Sequence, residues 1–196
     1  MLNSTKKTDG QTKLHMFSPK DRAVLESIKP IVDGIAALLG ENCEVLLHSL
    51  ENLDRSIVHI ANGHITGRSV GSPITDLGMK VLREATSGNK DVVGSYYSKT
   101  ADGKTLRSVT VLIRNEKKKP IGFLCINFNM SAPILSILKS FDLPAAQTET
   151  PENFATNIEE LIQTTLHDAI ISINSHKAIP NLSKNKIIVN ELEKKG

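Results

Sequence analysis

After Ser18-Pro19-Lys20-Asp21, apolar residues recur at helical spacing: Val24, Ile28, Ile31, Ile35, Leu38 and Leu39, with Gly40 closing the run. A capping Ser, a Pro at the first helical position and an Asp in the first turn mark its start. Pro30 inside the pattern predicts a kink or a break into two helices. The period then changes. Glu44–Leu50 and Ser56–Ala61 are short aliphatic runs, separated by the turn-like Glu51-Asn-Leu-Asp54 and closed by Asn62-Gly63, which predicts an antiparallel hairpin. A loop with glycines at 63, 67 and 71 ends in Ser72-Pro73, and a helix is expected over 74–86, with Gly88 past its end. Three further strands follow at Val92–Tyr97, Thr105–Ile113 and Ile121–Asn129. The order helix, β, β, helix, β, β, β predicts an α+β domain: a five-stranded antiparallel sheet with helices inserted after the second strand.

Pro133–Leu143 reads as a short helical segment, and a polar linker covers 144–152. In the long helix expected over 153–178, Phe154, Ile158, Leu161, Ile162, Leu166, Ala169, Ile170 and Ile173 form an apolar stripe. Its use is open: it packs back on its own domain, or it joins two copies as a dimer and signalling helix through Ile158, Ile162, Leu166 and Ile170. Residues 1–16 read as a disordered tail, 17–143 as the main domain, and 179–196 as the start of another helix that belongs to something longer.

Composition narrows the class. The chain's 196 residues suit one domain with an appendage. With five Phe, two Tyr and no Trp, the core must be largely aliphatic. No apolar run reaches the roughly 20 residues that span a bilayer, so no membrane partner is expected, and the polar N-terminus is no secretory signal. Cys43 and Cys125 lie in apolar stretches without CxxC spacing, as reduced thiols of a cytoplasmic protein do. A net charge of +3 is too small to indicate nucleic acid.

The chemistry-bearing patterns are sparse. His15, His48, His59, His64, His167 and His176 show no metal-ligand spacing. His48 and His59 sit on neighbouring strands, where they could face each other. There is no GxSxG elbow, and the glycines of 63–71 match neither a P-loop nor GxGxxG. Neither an enzyme nor a metal site is expected. The more informative signal is polar residues inside apolar strands. Alternation places Cys125, Asn127 and Asn129 on one face, opposite Leu124, Ile126 and Phe128. That face is either an outward polar surface or the floor of a small-molecule pocket. Arg68 on the glycine loop and Asp76 at the following helix start offer opposite charges suited to a zwitterion.

Glu44–Leu50, Ile60-Ala-Asn-Gly-His-Ile-Thr-Gly-Arg68, Gly71-Ser-Pro-Ile-Thr-Asp-Leu77 and Gly122–Asn129 together resemble the YheO-like PAS-domain family of bacterial helix-turn-helix transcriptional regulators. The resemblance covers roughly 20–130, and 153–173 is similar to the stretch that follows that domain. It implies a PAS-type fold, the order already read from the pattern. It also implies a C-terminal helix-turn-helix, of which 185–196 matches only the opening helix, so DNA contact through these residues alone is not expected. The expectation is a cytoplasmic, homodimeric sensor domain of a transcription factor that binds a small metabolite, an amino acid or similar zwitterion, and holds no resident cofactor. Candidate ligand-binding residues are His48, Asn62, Arg68, Asp76, Ser108, Cys125 and Asn127. The alternative is a ligand-free PAS-like dimerisation or protein-interaction module.

Overall fold

The computed structural model describes residues 16–85, 90–141 and 154–175, together with positions 186 and 189. The chain divides into two units, 1–143 and 144–196. In the first, α1 (Pro19–Leu39) leads into β1 (Cys43–Ser49), a 3-10 turn (Leu53–Arg55) and β2 (Ile57–Ala61); α2 (Asp76–Ala85) follows, then β3 (Val92–Lys99), β4 (Thr105–Arg114), β5 (Pro120–Asn129) and α3 (Ile134–Lys139). The second unit contains α4 (Ile158–Ser175). The five strands form one antiparallel sheet in the order β2-β1-β5-β4-β3, which is the expected α+β architecture. The expected tail over 1–16, apart from Met16, lies outside the described residues. So do Gly88, the linker over 144–152 and, apart from 186 and 189, the helix start over 179–196.

The α1 start follows from its sequence. Ser18 Oγ accepts from Asp21 N at 3.2 Å while Asp21 Oδ2 accepts from Ser18 N at 2.9 Å, a reciprocal capping box. Asn115 Nδ2 donates to Asp21 Oδ1 at 3.0 Å, tying the β4–β5 turn to that same helix end. The helix buries Leu25, Val32 and Ala36 against β1, β2 and β5. Pro30 neither breaks nor divides it. It stands on the exposed side, so the carbonyl whose partner it removes is left to solvent, while the buried face holds the turns together.

Directly opposed residues of an antiparallel pair share a face, so the register sorts the sheet. Val45, Leu47 and Leu124 lie on the α1 side. On the other side, Glu44, Asn127, Ser108 and Tyr96 form one row across four strands, Leu46, Cys125 and Thr110 the next, and His48, Phe123 and Leu112 the third. The register of β3 shifts between Gly94 and Tyr96. That extra residue sets Tyr96, rather than Ser95, opposite Ser108. Gly94 makes the bulge feasible: its φ is +132°, and a Cβ there would lie 2.9 Å from Ser108 O.

Two glycines give opposite expectations. A Cβ at Gly122 would meet His48 O at 2.5 Å and Leu25 Cδ2 at 2.7 Å, so Gly122→Ala is expected to destabilise the domain by about 1–3 kcal/mol. Gly34, mid-helix with nothing within 4 Å of an added Cβ, is expected to gain about 0.5–1 kcal/mol on Gly34→Ala. Urea midpoints of the two variants measure both.

Candidate functional site

Between the sheet and the segment 62–78 lies a cavity of about 300 Å³. Its floor is sheet: Leu46 and His48 from β1, Cys125 and Asn127 from β5, Ser108 and Thr110 from β4, Tyr96 and Ser98 from β3. Its roof is Thr66 and Arg68 from the glycine loop with Thr75, Asp76, Leu77 and Gly78 from the entry to α2. The polar face of β5 is thus turned inward over this cavity.

The roof is joined to the floor by one carboxylate. Glu44, fully buried on β1, accepts from Thr66 N at 3.3 Å and Thr66 Oγ1 at 2.5 Å through Oε2, and from Asn127 Nδ2 at 2.8 Å through Oε1. Three donors are what a buried carboxylate requires. Lys104 Nζ adds a second tie, donating to Ile65 O at 3.1 Å.

The other polar groups fall into two sets. His48 Nδ1 lies 2.8 Å from Ser56 Oγ, which donates to Ser72 O at 3.4 Å. Burial, and next the Arg68 cation, lowers the His48 pKa to about 4, so its ring is neutral at pH 7. Arg68 donates to Pro73 O in its own loop. Burial lowers its pKa, and the Glu44 carboxylate opposes that shift. Deeper along the floor, Tyr96 Oη and Thr110 Oγ1 are 2.9 Å apart, and Thr110 Oγ1 lies 3.6 Å from Cys125 Sγ. Burial raises the Tyr96 pKa and pushes the Cys125 thiol up to about 11, so this sulfur stays protonated and is a poor nucleophile. Ser108 Oγ, on a residue 1% exposed, has no hydrogen-bond partner among the described residues.

Of the residues singled out from the sequence, His48, Arg68, Asp76, Ser108, Cys125 and Asn127 all line this cavity. Asn62 stands elsewhere. Its Nδ2 donates to Gly40 O at 3.0 Å and Cys43 O at 2.8 Å, bracing the α1–β1 connection. His48 and His59 do not face each other, because His59 is paired with Leu47 and turns to the α1 side, where Nε2 meets Asp33 Oδ1 at 2.8 Å. Among the described residues there is no group of three or more His, Cys, Asp or Glu side chains placed to hold a metal. Sequence reasoning missed Glu44, Thr66, Tyr96 and Thr110. A glutamate opening an otherwise aliphatic strand was the available signal for the first.

Residues 19–142 match the family model of the YheO-like PAS domain. The chain is 42% identical over 181 residues to an uncharacterized protein of Haemophilus influenzae, covering 92% of this chain and 81% of that one. It is 40% identical over 185 residues to the uncharacterized protein YheO of Escherichia coli K12, covering 92% and 75%. It is 32% identical over 154 residues to the transcriptional regulator DauR of Pseudomonas aeruginosa, covering 77% and 70%.

The neutral His48 has a measurable consequence. An unfolded chain takes up this proton near pH 6.5 and the folded one only near 4. Stability is therefore full above about pH 6.5 and falls as pH drops through that interval, by roughly 2–3 kcal/mol for this group. His48→Asn is expected to flatten the profile over that range in denaturant titrations at stepped pH. A profile unchanged by the substitution counts against a buried neutral imidazole.

Proposed function

The chain belongs to the family of YheO-like PAS domains, and from that premise we propose that it is the effector-sensing part of a cytoplasmic, DNA-binding transcriptional regulator. The observation that carries the reading is the cavity, roofed by Arg68 and Asp76 and floored by Ser108, Thr110, Cys125 and Asn127. Opposite charges at the roof and a few polar groups on a partly apolar floor suit a small zwitterion such as an amino acid. The resemblance to a named transcriptional regulator supports the regulatory context. The protonated Cys125 and the neutral His48, which is engaged by Ser56, do not form a nucleophile–base pair, in keeping with a non-enzymatic role. Among the described residues no helix is long and apolar enough to cross a membrane. The effector is a diffusible small molecule in this reading, and a purified protein without visible absorbance from haem or flavin is the expected outcome.

An effector acts only by binding one arrangement of the dimer better than another. α4 offers the surface for such a change: Ile158, Ile162, Leu166 and Ile170 are all exposed along it. In this account α4 passes the state of the cavity to a helix-turn-helix whose opening helix has the sequence pattern of 185–196. A ligand-free dimerisation module uses the same stripe but leaves the cavity without a role.

Two measurements separate these readings. In a thermal-shift screen of amino acids and related metabolites, at least one compound is expected to raise the melting temperature, and Arg68→Ala is expected to abolish that rise while the apo protein stays folded. A panel in which nothing shifts the transition removes the sensing reading. In sedimentation analysis, Ile162→Asp and Ile170→Asp are each expected to dissociate the dimer. A dimer that survives both places its interface off α4.

A further inference from the structure

The floor of the cavity has an orientation of its own. Asn127 Nδ2 is committed to the Glu44 carboxylate, and an amide carries its oxygen on the opposite side from its nitrogen. Glu44 therefore fixes which end of Asn127 is free. Asn127 Oδ1 accepts no hydrogen bond among the described residues, and Asn127 lines the cavity. Its cross-strand neighbour is Ser108, whose buried Oγ also has no partner among the described residues. These two neighbouring oxygens, on one sheet row with a buried carboxylate at its end, receive no hydrogen bond among the described residues: Asn127 Oδ1 can only accept, and the Ser108 hydroxyl can accept as well as donate, so a ligand N–H satisfies both lone-pair sets.

We propose that Ser108 Oγ and Asn127 Oδ1 form a subsite for the nitrogen end of the ligand, an ammonium or primary amine, with Glu44 as the positioning residue that holds the Asn127 amide in its accepting orientation. The inference rests on the reading of this cavity as a ligand site and gives the ligand a direction. The nitrogen lies on the floor between β4 and β5, with the negative field of Glu44 behind it, and the ligand's anionic group lies toward Arg68 at the roof. A hydroxyl at Ser108 serves the occupant and not the fold, because a buried polar atom without a partner costs stability.

Two experiments on the full chain test this. The side-chain amide resonances of Asn127 are followed by NMR while the protein is titrated separately with n-butylammonium and with butyrate. The expected result is saturable movement with n-butylammonium alone, weakened about tenfold or more in Ser108→Ala. The second readout is stability: Ser108→Ala is expected to leave the melting temperature unchanged or raise it by about 2–4 °C. Movement with butyrate in place of n-butylammonium overturns the assignment of polarity. No movement with either probe overturns the subsite, as does a Ser108→Ala protein that melts lower than wild type. The metabolite screen reads the sensing proposal independently. Saturable n-butylammonium binding with a silent screen leaves the subsite standing and removes the sensing role, whereas a positive screen with silent probes does the reverse.

Discussion

A carboxylate cannot be taken out of water without donors to replace the hydration it loses, and Glu44 is fully buried. Its solution governs the cavity side of the domain. Thr66 supplies two donors from the glycine loop and Asn127 supplies one from β5, so the loop must close over the sheet for the charge to be tolerated. The cavity is the space left beneath that closure. The Arg68 cation, two residues beyond Thr66, shares the same neighbourhood and opposes the local negative charge. The roof is thus held by the need to satisfy one acidic side chain, together with the buried Ile65 and the backbone bonds of Gly71, Ser72 and Ile74 to Ile57 and Leu53.

The α1 side works by the ordinary rule. Leu25, Val32 and Ala36 meet the aliphatic residues of β1 and β5, and burial of apolar area supplies the cohesion. The domain therefore has a dry side that holds the sheet and a polar side that holds a space. Asn62 braces the turn from α1 into β1, and Asn115 links the β4–β5 turn to the start of α1.

Much of this was legible in the sequence because the governing signals are local. Alternation in Leu-Cys-Ile-Asn-Phe-Asn set Cys125 and Asn127 on one face, and the register agrees. Charges bracketing a glycine loop pointed to Arg68 and Asp76. The departures have physical reasons too. Of the kink or break expected at Pro30, the break is absent, because Pro30 stands on the exposed side of a helix secured by packing. The β3 bulge reverses the inside–outside parity of that strand after Gly94, so no simple alternation finds Tyr96. Glu44 was hidden because a glutamate at the head of a strand reads as a polar boundary, and only the loop folding back over it makes it an interior group. Asn62 was singled out for its place in a motif, although its geometric duty is to close a turn.

The unsatisfied hydroxyl of Ser108 also bears on how long a molecule of this protein lasts. Any ligand that binds only the native form lowers the unfolded population by mass action. Proteases act on that population when opening and closing are fast. On the proposed reading, turnover of the chain is slowest at high effector, so that the amount of protein present, and not only its state, follows the effector concentration.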